Sequence, residues 1–318
     1  LEAFLKSGSV VTITSGNVSL GAVNTSDSTV KASAKQEGEA SVGVGASVAL
    51  HIAPQNLTRA EIENGAILTG AGDLTLAATS SHSATMTSEA GAAASSSGVA
   101  AAPCVALGIV ENETRVTVGG VPNETADNTL ILTGDLSATA THTGSTTTKA
   151  DAAAAGGSVG VGAAIALTFA DDSALATSDW NITSGGEVSF AAHSAGATGA
   201  EAVASAAGGA AEEEDSSTEE NTTSEQQTDD QLDYANKEGG TDASKPEDSS
   251  AETSQGPVGI GAAIGLNIST SKAQAYIPDN RTVTASGVLT LSASNNTDSL
   301  AKADGIAVNA EHSVGVGV

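Results

Sequence analysis

The chain is poor in what fills a thick core and in what grips a nucleic acid. Aromatic residues make up 2% of its 318 positions, where a globular domain of this length ordinarily packs its centre with them. Its core is therefore expected to be thin, with alanine supplying much of the 39% hydrophobic content. Lys and Arg total 11 against 38 Asp and Glu, for a formal net charge of −27. That balance argues against nucleic acid and anionic membrane surfaces, both of which call for a basic footprint. A single cysteine, Cys104, excludes an internal disulfide framework and any thiolate metal cluster. No apolar run approaches the roughly 20 residues of a membrane-spanning helix.

What the chain has is repetition. SVGVGASVAL at 41–50 returns as GVAAAPCVAL at 98–107, SVGVGAAIAL at 158–167 and PVGIGAAIGL at 257–266, and begins again as SVGVGV at 313–318. The starts lie 57, 60, 99 and 56 residues apart, so a unit of about 57 residues recurs, once with an insertion. Such periodicity marks a stacked array whose units share one core. The divisions are a partial repeat at 1–40, repeats at 41–97 and 98–157, a repeat at 158–256 that includes an acidic insertion at 211–256, a repeat at 257–312, and the start of another at 313–318. Leu1 and Val318 both fall inside a unit, which suggests a section of a longer array. Cys104 stands where the other units have Ser47, Ala164 and Ala263, and is read as a small filler.

Within the opening phrase the alternation has period two, the signature of a strand. Val42, Val44, Ala46, Val48, Leu50 and Ile52 share one face, and Ser41, Gly43, Gly45, Ser47 and Ala49 the other. The aliphatic face is expected to be the buried one, with Val44, Val161 and Ile260 in a common core. The small face is expected either to pack tightly against another layer or to lie flat and bare. Pro103 has no N–H for a ladder bond, so its strand should be irregular or at an edge. A second phrase, GDLTLAA at 72–78, matches GNVSLGA at 16–22, GDLSATA at 134–140, GEVSFAA at 186–192 and GVLTLSA at 287–293. The Ala/Ser/Thr stretches between units, such as 83–97 and 144–157, read as weak strands. The expected fold is all-β: a parallel β-solenoid, or β-helix, with each repeat making two or three coils. An array of small antiparallel sandwiches is the alternative, but a 57-residue module nearly devoid of aromatics would bury its own core poorly.

The phrases SVGVGAxVAL and SG-x-(V/L)-(S/T)-L-x-A resemble the β-helical stalks of giant repetitive bacterial surface proteins of the filamentous haemagglutinin and autotransporter adhesin kind. The likeness spans nearly the whole chain outside 211–256. It implies secretion, display at the bacterial cell surface, and adhesion or aggregation, and it carries over no catalytic residue.

The insertion holds 15 Asp and Glu against Lys237 and Lys245, a net of −13. With almost nothing to bury, it is expected to be disordered, and dense carboxylates make it the one place for weak Ca2+ binding. Elsewhere, motif after motif points back to structure. The VGVG glycines sit in alternating strands and open no phosphate-binding helix. Asp73 in GAGDLTL recurs as Asp135 but gives way to Asn17, Glu187 and Val288, which is unlike a tandem calcium repeat. His51, His82, His142, His193 and His312 share no ligand spacing and read as solvated. The GxSxG match at 156–160 places Ser158 at a strand start, where a nucleophile elbow needs a helix to follow. Arg59 and Arg115 occupy matching places, which suggests a structural role. Trp180, Tyr234 and Tyr276 are too scattered to form a sugar-binding platform. The ten N-x-S/T sequons, beginning at Asn17, Asn24 and Asn56, are what a chain rich in Asn, Ser and Thr yields by composition.

The sequence therefore assigns no catalytic, cofactor-binding or metal residue and no cofactor. Its leading reading is a non-catalytic structural stalk of a large, secreted or surface-displayed adhesin-type repeat protein. The partners are neighbouring repeats of the same chain and a host or neighbouring-cell surface, with no nucleic acid and no membrane insertion by this segment. Two other readings stand beside it. One is a surface-binding module using a flat Gly/Ala/Ser/Thr face, with TxT rows such as Thr12-Ile13-Thr14 and Thr282-Val283-Thr284. The other is a polysaccharide-active β-helix enzyme.

Overall fold

The computed structural model describes residues 1–36, 40–95, 97–120, 128–208, 258–308 and 312–318. The expectations for 211–256, and for Tyr234 within it, lie outside the described residues. Everything regular in the described residues is strand. The described residues wind as successive turns of one coil. Its first turn is β1 (Glu2–Leu5), β2 (Val10–Thr12) and β3 (Val18–Gln36), and its second is β4 (Val42–Val44), β5 (Ser47–Ile62), β6 (Ile67–Thr69) and β7 (Leu74–Ala93). The third is β8 (Val99–Val118), β9 (Thr129–Leu132) and β10 (Leu136–Gly156). The fourth is β11 (Val159–Ser178), β12 (Asn181–Ser184) and β13 (Val188–Gly208), and the fifth is β14 (Val258–Tyr276), β15 (Val283–Ala285) and β16 (Leu289–Val308). β17 (His312–Gly317) opens a sixth.

Every pairing between successive turns is parallel and follows the sequence repeat, with a one-residue register shift between Ala53 and Asn56 where β5 meets β8. One long sheet runs β1-β5-β8-β11-β14-β17, with β4 also on β8, and is called here the front sheet. The back sheet runs β3-β7-β10-β13-β16, and the short strands form a narrow third side, β2-β6 and β9-β12-β15. The opening phrases coincide residue for residue: Val159 pairs with Val99 and with Val258, and Val161 with Ala101 and Ile260. This is a parallel β-solenoid. The Ala/Ser/Thr stretches expected as weak strands form the C-terminal halves of β7 and β10 and run just past their ends.

Two expectations are corrected. Each repeat makes one coil and not two or three, because the phrases at its two ends lie in single strands of about 20 residues that face each other across the interior. At ~3.3 Å per residue and ~4.8 Å between strands, a rung is ~65 Å wide and advances the coil by under 5 Å.

The second correction concerns which face is inside. Val42, Val44 and Val48 are 62%, 58% and 66% exposed, and Ile260 is also exposed, while Val161 is half-buried. The small side chains point in: Ser47, Ala49, Ala164, Ala166 and Ala263 are buried. The reason is the closeness of the two long sheets. A Cβ built on Gly160 would lie 2.5 Å from the carbonyl oxygen of Ala207 in the back sheet. One at Gly162 would run into Ser205 O, and one at Gly261 into Ile306 O. The glycines let backbone approach backbone, and no branched side chain fits between.

The interior therefore divides in two. Where the narrow third side wedges the long sheets apart, a core of larger residues forms, including Ile62, Leu74, Leu76, Leu130, Leu136, Ile182 and Phe190. Trp180 belongs to it, stacked over Gly119 with Nε1 donating to Asn64 Oδ1 at 2.9 Å. Towards the opening phrases the core is almost all alanine, with Met86, Val110 and Cys104. Burial pushes the Cys104 thiol up to about 11, in keeping with its reading as a filler. Pro103 lies within β8, and the gap between β4 and β5 falls opposite Ala102 and Pro103. The Gly45 N–H still reaches Ala101 O at 3.0 Å; the next bond would need an N–H from Pro103.

Candidate functional site

Between the two apolar cores runs a polar seam, built from one inward-facing column of each long sheet. On the front sheet the column is Asn56, Asn112, Asp172 and Ser271; on the back sheet it is Asn24, Ser80, His142, Ser194 and Asn295. Asn56 Nδ2 donates to Asn112 Oδ1 at 2.8 Å, and Asn112 Nδ2 to Asp172 Oδ1 at 2.7 Å. The Ser80 hydroxyl shares a 2.7 Å hydrogen bond with His142 Nδ1 and another of 2.5 Å with the Thr114 hydroxyl. His142 Nε2 sits 3.1 Å from Asp172 Oδ1, an ion-pair distance without hydrogen-bond alignment. Gly144 makes the room, since a Cβ there would lie 2.8 Å from both His142 Nε2 and Asp172 Oδ2.

His82 occupies the neighbouring inward column. Its Nδ1 shares a 2.6 Å bond with the Ser26 hydroxyl, its ring centroid is 6.0 Å from that of His142, and its Nε2 is buried without a partner. A polar cavity of about 140 Å³ adjoins it, lined also by His51, Asn56, Asn112 and Thr146. Desolvation, with repulsion from His142, holds the His82 imidazole below its ordinary value of 6.5. These two histidines correct the reading of all five as solvated: His82 is 7% exposed and His142 1%. The alternation that carried Ala and Thr inward carries them inward too.

Ser80, His142 and Asp172 bring hydroxyl, imidazole and carboxylate into one chain, yet all three are sealed between the sheets. Buried in this way, the arrangement presents no reacting atom to a substrate. Ser158, the residue of the GxSxG match, donates instead to the carbonyls of Ser97 and Gly98 at the start of the coil's preceding turn. Among the described residues no three His, Cys, Asp or Glu side chains converge as a metal site requires.

The other residues weighed from sequence resolve into ladders along the stack. Asn17 Oδ1 accepts from the Asp73 N–H at 2.9 Å, Asp73 Oδ1 from Asp135 N–H at 2.9 Å, and Asp135 Oδ1 from Glu187 N–H at 2.7 Å. Each side chain satisfies the turn backbone of the next rung, so Asn and Asp serve equally. Arg59 binds Glu2, Glu61 and Glu63 and lies 4.5 Å from the Phe4 ring centre; Arg115 binds Glu113 and Glu61. Burial opposes the Arg59 charge, but Glu61 and Glu2 outweigh it and raise its pKa.

Two outer faces complete the inventory. The back sheet presents hydroxyls in register, as in the unbroken column Ser19, Thr75, Ser137, Ser189 and Thr290. It also carries a charge column in which Glu201 binds Lys149 at 3.5 Å and Lys302 at 3.2 Å. The front sheet presents the aliphatic residues that the sequence reading had placed inside. Sequence reasoning missed both this face and the seam. The signal for the first was the Gly, Ala and Ser that alternate with the aliphatic residues of the phrase; for the seam it was only the matching Asn56 and Asn112, since His142 and Asp172 have no counterpart of their kind in the other units. Comparison of the chain with protein-family models, with curated proteins and with solved structures finds no match in any of the three.

Proposed function

We propose that the chain is a non-catalytic structural section of a large secreted or surface-displayed repeat protein of the adhesin type. The observation that carries this reading is the parallel stacking of successive rungs along both long sheets, in which polar side chains bond to the equivalent side chain or turn of the next rung. A rung of ~65 Å by ~4.8 Å makes breadth rather than length, so such a section acts as a wall with two wide faces. Its partners are the neighbouring repeats and the surface those faces meet. Antibody raised against the folded chain should label intact source cells; label that appears only after the cells are permeabilised would refute surface display.

A second reading rests on the back sheet, whose hydroxyl columns repeat at the ~4.8 Å strand spacing and suit an ordered surface such as ice. The small face of the opening phrase, first considered for that role, is buried. Ser137→Arg in the middle of the column should then abolish inhibition of ice recrystallisation, and a wild-type chain with no such activity removes the reading.

A further inference from the structure

The outward face of the front sheet is an aliphatic grid over which none of the described residues packs. Its columns follow the opening phrase: Val48, Val105, Ile165 and Ile264 in one, Leu50, Leu107, Leu167 and Leu266 in the next. Ile52, Ile109, Phe169 and Ile268 bound it on one side and Val42, Val99, Val159 and Val258 on the other. Val48 is 66% exposed and Leu266 41%. Past the Ile52 column the outward positions turn polar, with Glu111 and Asp171 and then Glu113 and Arg115, so the apolar field has a charged rim.

We propose that this face docks against the same face of a second copy of the chain. The grid spans ten residue steps along the strands and four full rungs with part of a fifth, ~33 Å by ~22 Å, or about 730 Å² per copy. Two copies would bury about 1,450 Å², within the range of a standard specific interface, whereas soluble monomers seldom leave so large an apolar patch uncovered. Flatness and period select the occupant. Ridges ~6.6 Å apart along the strand and ~4.8 Å across it interlock with a surface of equal periods, and a two-fold pairing supplies that surface automatically. A lipid bilayer has no such periods, and a chain of net charge −27 is repelled by its anionic forms. The same charge opposes pairing of two copies at low ionic strength, so added salt should strengthen the dimer. This inference is independent of surface display and stands or falls separately from it.

Sedimentation equilibrium of the full chain over a hundredfold concentration range, at low and high salt, tests it. The expected result is a dimer tightened by salt. Ile165→Lys, at the centre of the grid, should weaken it by at least about tenfold while leaving the thermal melt of the monomer unchanged. If Lys lowers the melt, Ile165→Thr, which keeps the β-branched form, decides: a raised Kd with an unchanged melt supports the proposal, and an unchanged Kd overturns it. A monomer throughout the range overturns it. So does a dimer indifferent to both substitutions, which would be joined by the open strand edges at the ends of the stack. So does a monomer that floats with phosphatidylcholine vesicles, which would assign the face to lipid.

Discussion

At Gly162 the carbonyl oxygen of Ser205 on the opposite sheet decides the side chain, because it occupies the space a Cβ would need. Gly162→Val should therefore force the sheets apart and cost several kcal/mol, at the upper end of overpacking effects. Its neighbour Val161 points the other way and is half-buried. Val161→Asp should cost no more than about 1 kcal/mol, in the range of exposed-strand propensities. Thermal melts of the two variants check the pair, and a Val161→Asp melt as depressed as that of Gly162→Val would reverse the assignment of faces. Cys104, raised to about 11 by burial, should resist alkylation at pH 8 in the folded chain and react promptly in denaturant, because the thiolate is the reactive form. The sequence displayed both faces of each strand through their period of two. It did not say which was inner, since the usual weighting by hydrophobicity ignores how near the facing backbone lies.

Among elements, β7, β10 and β11 matter most, for they bring His82, His142 and Asp172 into the seam. His82 is held below 6.5 in the folded chain, so between its folded and unfolded values the unfolded chain binds more protons. Stability contributed by keeping His82 neutral is therefore complete above about pH 6.5 and is lost as the pH falls below it. The groups facing the ring are His142, which adds repulsion, and Asp172, which partly offsets it. Melts at pH 7.5 and pH 5 should show the wild type weakened by acid and His82→Asn weakened less; equal acid losses in both would show that His82 is not the group responsible. Stacking of these strands was legible, because GDLTLAA, GDLSATA and GEVSFAA align in sequence as Leu74, Leu136 and Val188 align in space. The seam was not, because Ser80, His142 and Asp172 come from three rungs and belong to no common phrase.

For the whole molecule the repeat is the unit of construction, and one repeat is one rung. Removing 98–157 joins β7 to β11, brings Val159 opposite Val42 and Val188 opposite Leu74, and places Asp172 near Asn56. The shortened chain should still melt cooperatively, and small-angle scattering should find the stack shorter by one strand spacing, ~4.8 Å. A molten or aggregated product would mean that the rungs are not interchangeable. The width of the rung also bears on how the molecule answers a pull. The ladder hydrogen bonds run along the stack, so tension in that direction falls on all of them at once. Between the third and fourth turns that means paired residues from Val99 to Val118 in one sheet and from Leu136 to Gly156 in the other. A narrower coil would reach farther for the same number of residues but would meet the load with fewer bonds abreast. Peeling from a corner meets only one or two bonds at a time. The same molecule should thus be strong against drag along its axis and weak against peeling from its edge, as a woven strap is.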